Sequence, residues 1–335
     1  MNAKQRLDAF FAGQPVDRLP NLTIVGSMVT QYNGMDVETY CKDPRQMVQA
    51  AIAAAQDLSL DFVQIASDLA REAEGYGSQL TFSKNKLPTV TGYALEDIAE
   101  VGKLTPKRAA DIPRLYQLVE ATAYAMEQEK DIYPMTLAVG PMTVAGNIRG
   151  VEDLMVDSFD EPEAVEELLE LATGTTVDFI RELANIGAKY MYVADPVASL
   201  LSPNFYKETI LPYHQRIFGE MKKLGIGGRL HMCGNTQAIV PYSCSSGAYI
   251  VDIDHATDFS SALNSVGDRC VLNGNIDPVS DVFSCDAAHT EAAILECAKQ
   301  AAGRRALFMP GCELPTATPI ENVKAIHRAL CQIKG

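Results

Sequence analysis

Hydrophobic positions along the chain follow two rhythms. Short runs, apolar nearly throughout and rich in β-branched residues, recur at 22–25, 62–66, 135–139, 190–194, 228–232, 249–253, 270–272 and 306–309. Such runs read as strands buried on both faces of a parallel sheet. The longer stretches between them carry helical spacing. From Pro162 to Ile186, the residues Val165, Leu168, Leu169, Ala172, Phe179, Ile180 and Leu183 fall on one stripe. Pro162 suits a first helical position, where a missing N–H costs nothing, and Asp160, Glu161 and Glu163 suit a helix N-terminus. Thr318 is expected to cap a last helix starting at Pro319-Ile320-Glu321-Asn322, and residues 1–20 to form a helical lead-in. Eight strands alternating with helices predict an α/β fold, a single (β/α)8 TIM barrel over residues 1–335. A doubly wound sheet fits less well, because no glycine-rich dinucleotide loop follows the first strand.

Composition narrows the class. A chain of 335 residues buries roughly three quarters of its unfolded surface. Apolar residues at 47% and charged residues at 21% exclude a disordered or low-complexity chain. Acids outnumber bases by 43 to 28, for a net charge of −15, and such a surface repels phosphate backbones; no nucleic-acid partner is expected. No apolar run reaches the roughly 18 residues that span a bilayer. The opening residues lead into an amphipathic stretch containing Asp8 rather than a signal core, so the expected location is the cytoplasm, with no membrane partner. The eight cysteines do not suggest a disulfide framework in that compartment.

A barrel gathers its chemistry at the C-terminal ends of its strands. Those ends carry Asp68, Asp195-Pro196, His231-Met232-Cys233-Gly234-Asn235, Asp252-Ile253-Asp254, Asn273-Gly274-Asn275-Ile276-Asp277-Pro278 and Pro310-Gly311-Cys312-Glu313. His231 and Cys233, two apart, point the same way from an extended segment, and Cys312 reaches the same mouth from the last strand. One imidazole and two thiolates are a zinc set that leaves a tetrahedral corner open, as catalytic zinc requires. The competing reading is a satisfied core histidine with two small buried thiols; the pairing with Gly234 and Gly311 on separate strand ends favours metal. Asp254 reads either as a fourth, displaceable ligand or as a hydrogen-bonded strand-end acid. Asp68 and Asp195 read as catalytic or as loop anchors, and Asn273 and Asn275 as polar recognition groups or turn formers. Cys41, Cys244, Cys270, Cys285, Cys297 and Cys331 read as structural, and His214 and His255 as solvated or structural. Gly140-Pro141-Met142-Thr143 is a tight turn into a helix, a weak likeness to an anion-cradling start.

These blocks resemble the uroporphyrinogen decarboxylase superfamily over nearly the whole chain. The likeness rests on Arg6 with Gly13-Gln14-Pro15-Val16-Asp17-Arg18-Leu19-Pro20, Ser67-Asp68, Gly140-Pro141-Met142-Thr143, Asp195-Pro196, Gly274-Asn275-Ile276-Asp277-Pro278 and Thr318-Pro319-Ile320-Glu321-Asn322. Two departures point away from the decarboxylases themselves. Their arginine-rich segment after the first strand has no counterpart, for no Arg or Lys lies between Arg18 and Lys42, and their Gly-His is Gly311-Cys312. The chain is instead similar to the zinc-dependent, corrinoid-linked methyltransferase branch. That resemblance implies Zn2+ on His231, Cys233 and Cys312, and less firmly on Asp254. It also implies a partner protein carrying a corrinoid (cobalamin), with Asp68, Asp195 and Asn275 as acid or orienting groups. The neutral stretch 21–41, with Met28, Tyr32 and Met35, is expected to line the mouth. It favours a small O- or N-methyl donor, such as a methoxylated aromatic, giving its methyl to cobalt. Transfer from methylcorrinoid to a thiol of the coenzyme M type is the alternative, and uroporphyrinogen decarboxylation the second.

Overall fold

The computed structural model describes residues 1–333. Seven parallel strands form one curled sheet in the order β1 (Phe62–Ile65), β4 (Tyr133–Val139), β5 (Tyr190–Ala194), β6 (Gly227–His231), β7 (Ile250–Asp252), β8 (Val271–Asn273) and β9 (Ala306–Leu307). Helices wrap its outside, the crossover connections that parallel neighbours demand. Almost every residue of these strands is buried, which is why their sequences are apolar without alternation. This is the barrel architecture expected from the runs.

The first expected strand does not join the ladder. Residues 21–25 fill the gap between β9 and β1, but side chains replace most of the strand pairing. Gln64 Oε1 accepts the backbone N–H groups of Val25 and Gly26, each at 2.9 Å, and Arg229 donates to the Leu22 carbonyl at 2.8 Å. Among the described residues, only single backbone bonds reach each side, from Asp61 to Asn21 and from Leu314 to Ile24.

Other elements also differ from expectation. A two-stranded antiparallel hairpin, β2 (Gln79–Thr81) with β3 (Thr89–Gly92), lies outside the barrel sheet. It is short and half exposed, so it lacks the continuous apolar signature that marks the others. The lead-in is helical only over Ala3–Phe11, capped by Asn2. Thr318 does not cap the last helix, Ile320–Leu330; its hydroxyl donates to the Pro315 carbonyl instead. Pro162 does open the 24-residue helix Pro162–Asn185, and the predicted stripe is its buried face. Cys244 and Cys270, read as structural, are disulfide-bonded, where no disulfide framework was expected. The two lie 26 residues apart in sequence, before and after β7, a proximity that only the tertiary fold creates.

Candidate functional site

Register places the site. His231 at the end of β6 is level with Asp252 at the end of β7, and Asp252 with Asn273 at the end of β8. One polar row thus crosses three strand ends. Along β6, residues 229, 231 and 233 share a face by the two-residue period. Arg229 grips Asp252 through Nε at 2.8 and 2.9 Å. His231 Nδ1 is 2.8 Å from Asp252 Oδ2, and Asn273 donates to Oδ1 at 2.8 Å. Asp252 is buried, an environment that raises a carboxyl pKa. The Arg229 charge and the His231 hydrogen bond outweigh that burial and hold it below the usual range. With Nδ1 engaged by a carboxylate, Nε2 of His231 is the nitrogen left to ligate, the arrangement that orients metal-binding histidines.

Nε2 faces two sulfurs. Cys233 Sγ lies 3.1 Å away and Cys312 Sγ 3.7 Å, with 3.3 Å between the sulfurs. The three ligand atoms all lie within 4.8 Å of one another. Both thiols are half-buried, so they are reachable from the mouth. Cys312 is pulled down to about 5 by the hydrogen bond from Cys233, against burial, with further help from His231. Cys233 is pushed up in return, first by that same bond and then by burial. Burial disfavours charge on His231, yet Asp252 and Cys312 raise it to about 10. A set that stabilises negative sulfur beside an oriented imidazole fits a thiophilic cation such as Zn2+.

Backbone close approach shapes the two cysteine loops. Gly234 takes φ +82 and donates its N–H to Asp254 Oδ2 at 2.7 Å. A Cβ on Gly311 would sit 2.7 Å from Asp254 Cα, so only glycine lets the last strand bring Cys312 this near.

The other expected site residues are placed differently. Asp254 is outside the ligand cluster; one oxygen takes the Gly234 N–H and the other the backbone N–H and ring of His255. Asp68 pairs with Arg114 and accepts the Ala70 N–H at 3.0 Å. Asp195 is fully buried and fully used: Thr143 N–H and hydroxyl at 2.7 Å each, Met142 N–H at 3.3 Å and His214 Nε2 at 3.0 Å. That makes it the anchor for the turn at Gly140-Pro141-Met142-Thr143. His214, buried between Asp195 and Tyr206, is structural, while His255 is half exposed beside Asp254. Asn275 donates to the carbonyls of Asp254 and Thr257 and so braces the β7 loop. Met28 is wholly buried in the core, and Tyr32 donates outward to Asp57 at 2.9 Å, so neither lines the mouth as the sequence suggested.

Arg229 and Glu313 are the functional neighbours that sequence reasoning missed. The signal for Arg229 was a lone cation inside an apolar run; for Glu313, its position directly after Gly311-Cys312. Glu313 accepts the Ser27 N–H at 3.0 Å, and burial raises its pKa.

The fold and this His–Cys–Cys mouth define a barrel enzyme with a sulfur-rich candidate metal centre. The chain belongs to the uroporphyrinogen decarboxylase (URO-D) family, whose model matches residues 2–332. It is 25% identical to the methylcobamide:CoM methyltransferase MtbA of Methanosarcina acetivorans, over 96% of this chain and 95% of that one. It is 26% identical to a methylated-thiol–coenzyme M methyltransferase of Methanosarcina mazei, over 98% and 89%. The solved structure of a methyltransferase from Methanosarcina mazei superposes with a TM-score of 0.89 at 24% identity, covering 99% of both chains. That likeness establishes the same fold.

Proposed function

We propose that the protein is a zinc-dependent methyltransferase that passes a methyl group from a methylated corrinoid protein to a small thiol. The observation that carries this reading is the convergence of His231 Nε2, Cys233 Sγ and Cys312 Sγ at the barrel mouth. When bound there, Zn2+ would hold the substrate sulfur as thiolate at neutral pH. Asp252 keeps His231 in the ligating orientation, and Arg229 keeps Asp252 ionised. Residues 1–335 are read as one barrel domain. Attack of the sulfur on the methyl carbon forms the S–C bond, while the C–Co bond breaks and leaves its electron pair on cobalt. The thiol's proton goes to solvent or a mouth residue.

Two considerations favour the thiol direction over a methoxylated aromatic donor. Two of the three side chains that supported the donor, Met28 and Tyr32, are taken up elsewhere. The relatives' names also speak of coenzyme M and methylated thiols. Decarboxylation of a porphyrinogen is disfavoured by the cation-free stretch between Arg18 and Lys42, which leaves little to hold several carboxylates. No helix among the described residues is long and apolar enough to cross a membrane.

The test combines metal analysis with methyl transfer. Purified protein should hold about one zinc per chain and demethylate methylcobalamin when a thiol is supplied. Cys312→Ala should lose zinc and activity together. Activity retained in that variant refutes the site. Methylation of reduced cobalamin by a methoxyarene, without thiol-dependent demethylation, refutes the direction.

A further inference from the structure

We propose that the end of the barrel opposite the mouth carries a second ligand site, a cavity that takes a nucleoside phosphate. The cavity measures about 930 Å³ and lies at the N-terminal ends of the strands. Tyr133, Tyr190 and Gly227, the first residues of β4, β5 and β6, line it together with Tyr249 and Cys270, which lead into β7 and β8. Its volume is that of a small-molecule site, and the ligands of the candidate metal centre lie at the other ends of the strands.

Charge sets the cavity apart from the rest of the chain. Lys189, Lys222, Arg269 and Arg305 line it against two acids, Asp8 and Asp268, in a sequence whose acids outnumber its bases by 43 to 28. Among the described residues none of the four cations meets a carboxylate. Arg305 donates to the Phe10 carbonyl at 2.6 Å and to the Tyr249 hydroxyl, and Arg269 to the carbonyls of Val266 and Pro241 at 3.0 and 3.1 Å. Lys189 and Lys222 are exposed, and the turn ahead of β6 touches both: the Gly225 N–H donates to the Lys222 carbonyl at 3.2 Å and the Gly227 N–H to the Lys189 carbonyl at 2.9 Å. Cations gathered without counter-charges repel one another, and a phosphate relieves that cost.

The rest of the lining selects among phosphates. The rings of Phe11 and Tyr249 stack at 4.6 Å and 24°, Phe11 lies 4.5 Å from the Tyr190 ring, and the Arg305 guanidinium sits 5.3 Å over Tyr249. All three rings belong to the cavity wall, where they offer a planar heterocycle a stacking partner. Asp8 is engaged by the hydroxyls of Tyr190 at 2.6 Å and Tyr133 at 3.2 Å, which leaves exposed Asp268. A carboxylate repels phosphate but accepts sugar hydroxyls, as acids in nucleotide sites do. Phosphate, base and sugar thus each find a matching group.

Calorimetric titration of the purified full-length chain tests the site, with AMP, inorganic phosphate and adenosine as probes. The expected result is one AMP per chain, bound about tenfold or more tighter than either phosphate or adenosine and weakened by added salt. Lys189→Glu and Lys222→Glu alter exposed side chains, so their melting temperatures without ligand should match wild type, while each weakens AMP about tenfold or more. AMP should raise the melting temperature of wild type and not of the variants. No binding of AMP up to about 1 mM, AMP no tighter than phosphate, or equal AMP affinity in wild type and both variants each overturns the site. None of these outcomes bears on methyl transfer at the mouth, which stands or falls on its own test.

Discussion

Asp252 accepts from Arg229, His231 and Asn273 at once, and its substitution separates two roles. Asp252→Asn keeps the size but removes the charge that compensates buried Arg229 and the carboxylate that fixes the imidazole. Leaving a buried charge unpaired costs about 3–5 kcal/mol, so urea unfolding should shift by that order. Loss of the carboxylate behind a ligating histidine typically weakens metal binding by about 10- to 100-fold; chelator competition measures this. A variant that binds zinc as tightly as wild type removes the positioning role from Asp252. Sequence patterning marked the candidate ligand side chains here but not their support. His231, Cys233 and Cys312 are ligand types at strand ends, whereas the ion pair behind them depends on the register of β6 against β7.

Between elements, buried carboxylates serve as pins. Asp195 joins the end of β5 to the helix Pro141–Arg149 through Thr143 and Met142, and to the helix Leu211–Lys223 through His214. Asp195→Asn turns one acceptor oxygen into a donor facing buried donors, so it should lower stability by about 1–3 kcal/mol, while zinc content stays at the wild-type level. Zinc loss with unchanged stability would contradict the anchoring role.

A second pin ties the lead-in helix to the barrel. The Arg6 guanidinium donates to Asp17 and Asp61, and the hydrogen bond from Arg6, against slight burial, holds the Asp17 carboxyl well below its usual range. A depressed carboxyl contributes stability above its unfolded pKa of about 3.9 and loses it as pH falls toward the folded value. Asp17 is 42% exposed, so the contribution is modest. Melting temperatures of wild type and Asp17→Asn should differ at pH 7 and converge below about pH 4; a gap that persists in acid would point to packing instead. Long stripes and buried runs were legible at this scale because burial writes a period into sequence. The hairpin of β2 and β3 and the Thr318 hydroxyl were not, because neither is fixed by a buried face.

At the scale of the whole barrel, closure relies in large part on one amide. The segment 21–25 lacks strand pairing, and Gln64 stands in for it: Oε1 takes two backbone N–H groups while Nε2 donates to Tyr192 across the interior at 2.7 Å. The sequence showed an apolar run at 22–25 and so suggested an eighth laddered strand; a glutamine on the neighbouring strand doing that pairing leaves no mark in the run itself. Gln64→Leu keeps similar volume but strands both N–H groups in a buried site, each costing about 1–3 kcal/mol. The expected loss is therefore about 2–6 kcal/mol in urea unfolding, with amide exchange at Val25 and Gly26 accelerated more than at β4 or β5. Because Ser27, two residues further on, holds Glu313 beside Cys312, the opening should spread toward the last strand and loosen Cys312. Zinc would then be released to a chelator faster than from wild type. Uniform acceleration of exchange across the sheet, with no preference for residues 25 and 26, would show that the first segment is secured by its apolar packing rather than by Gln64.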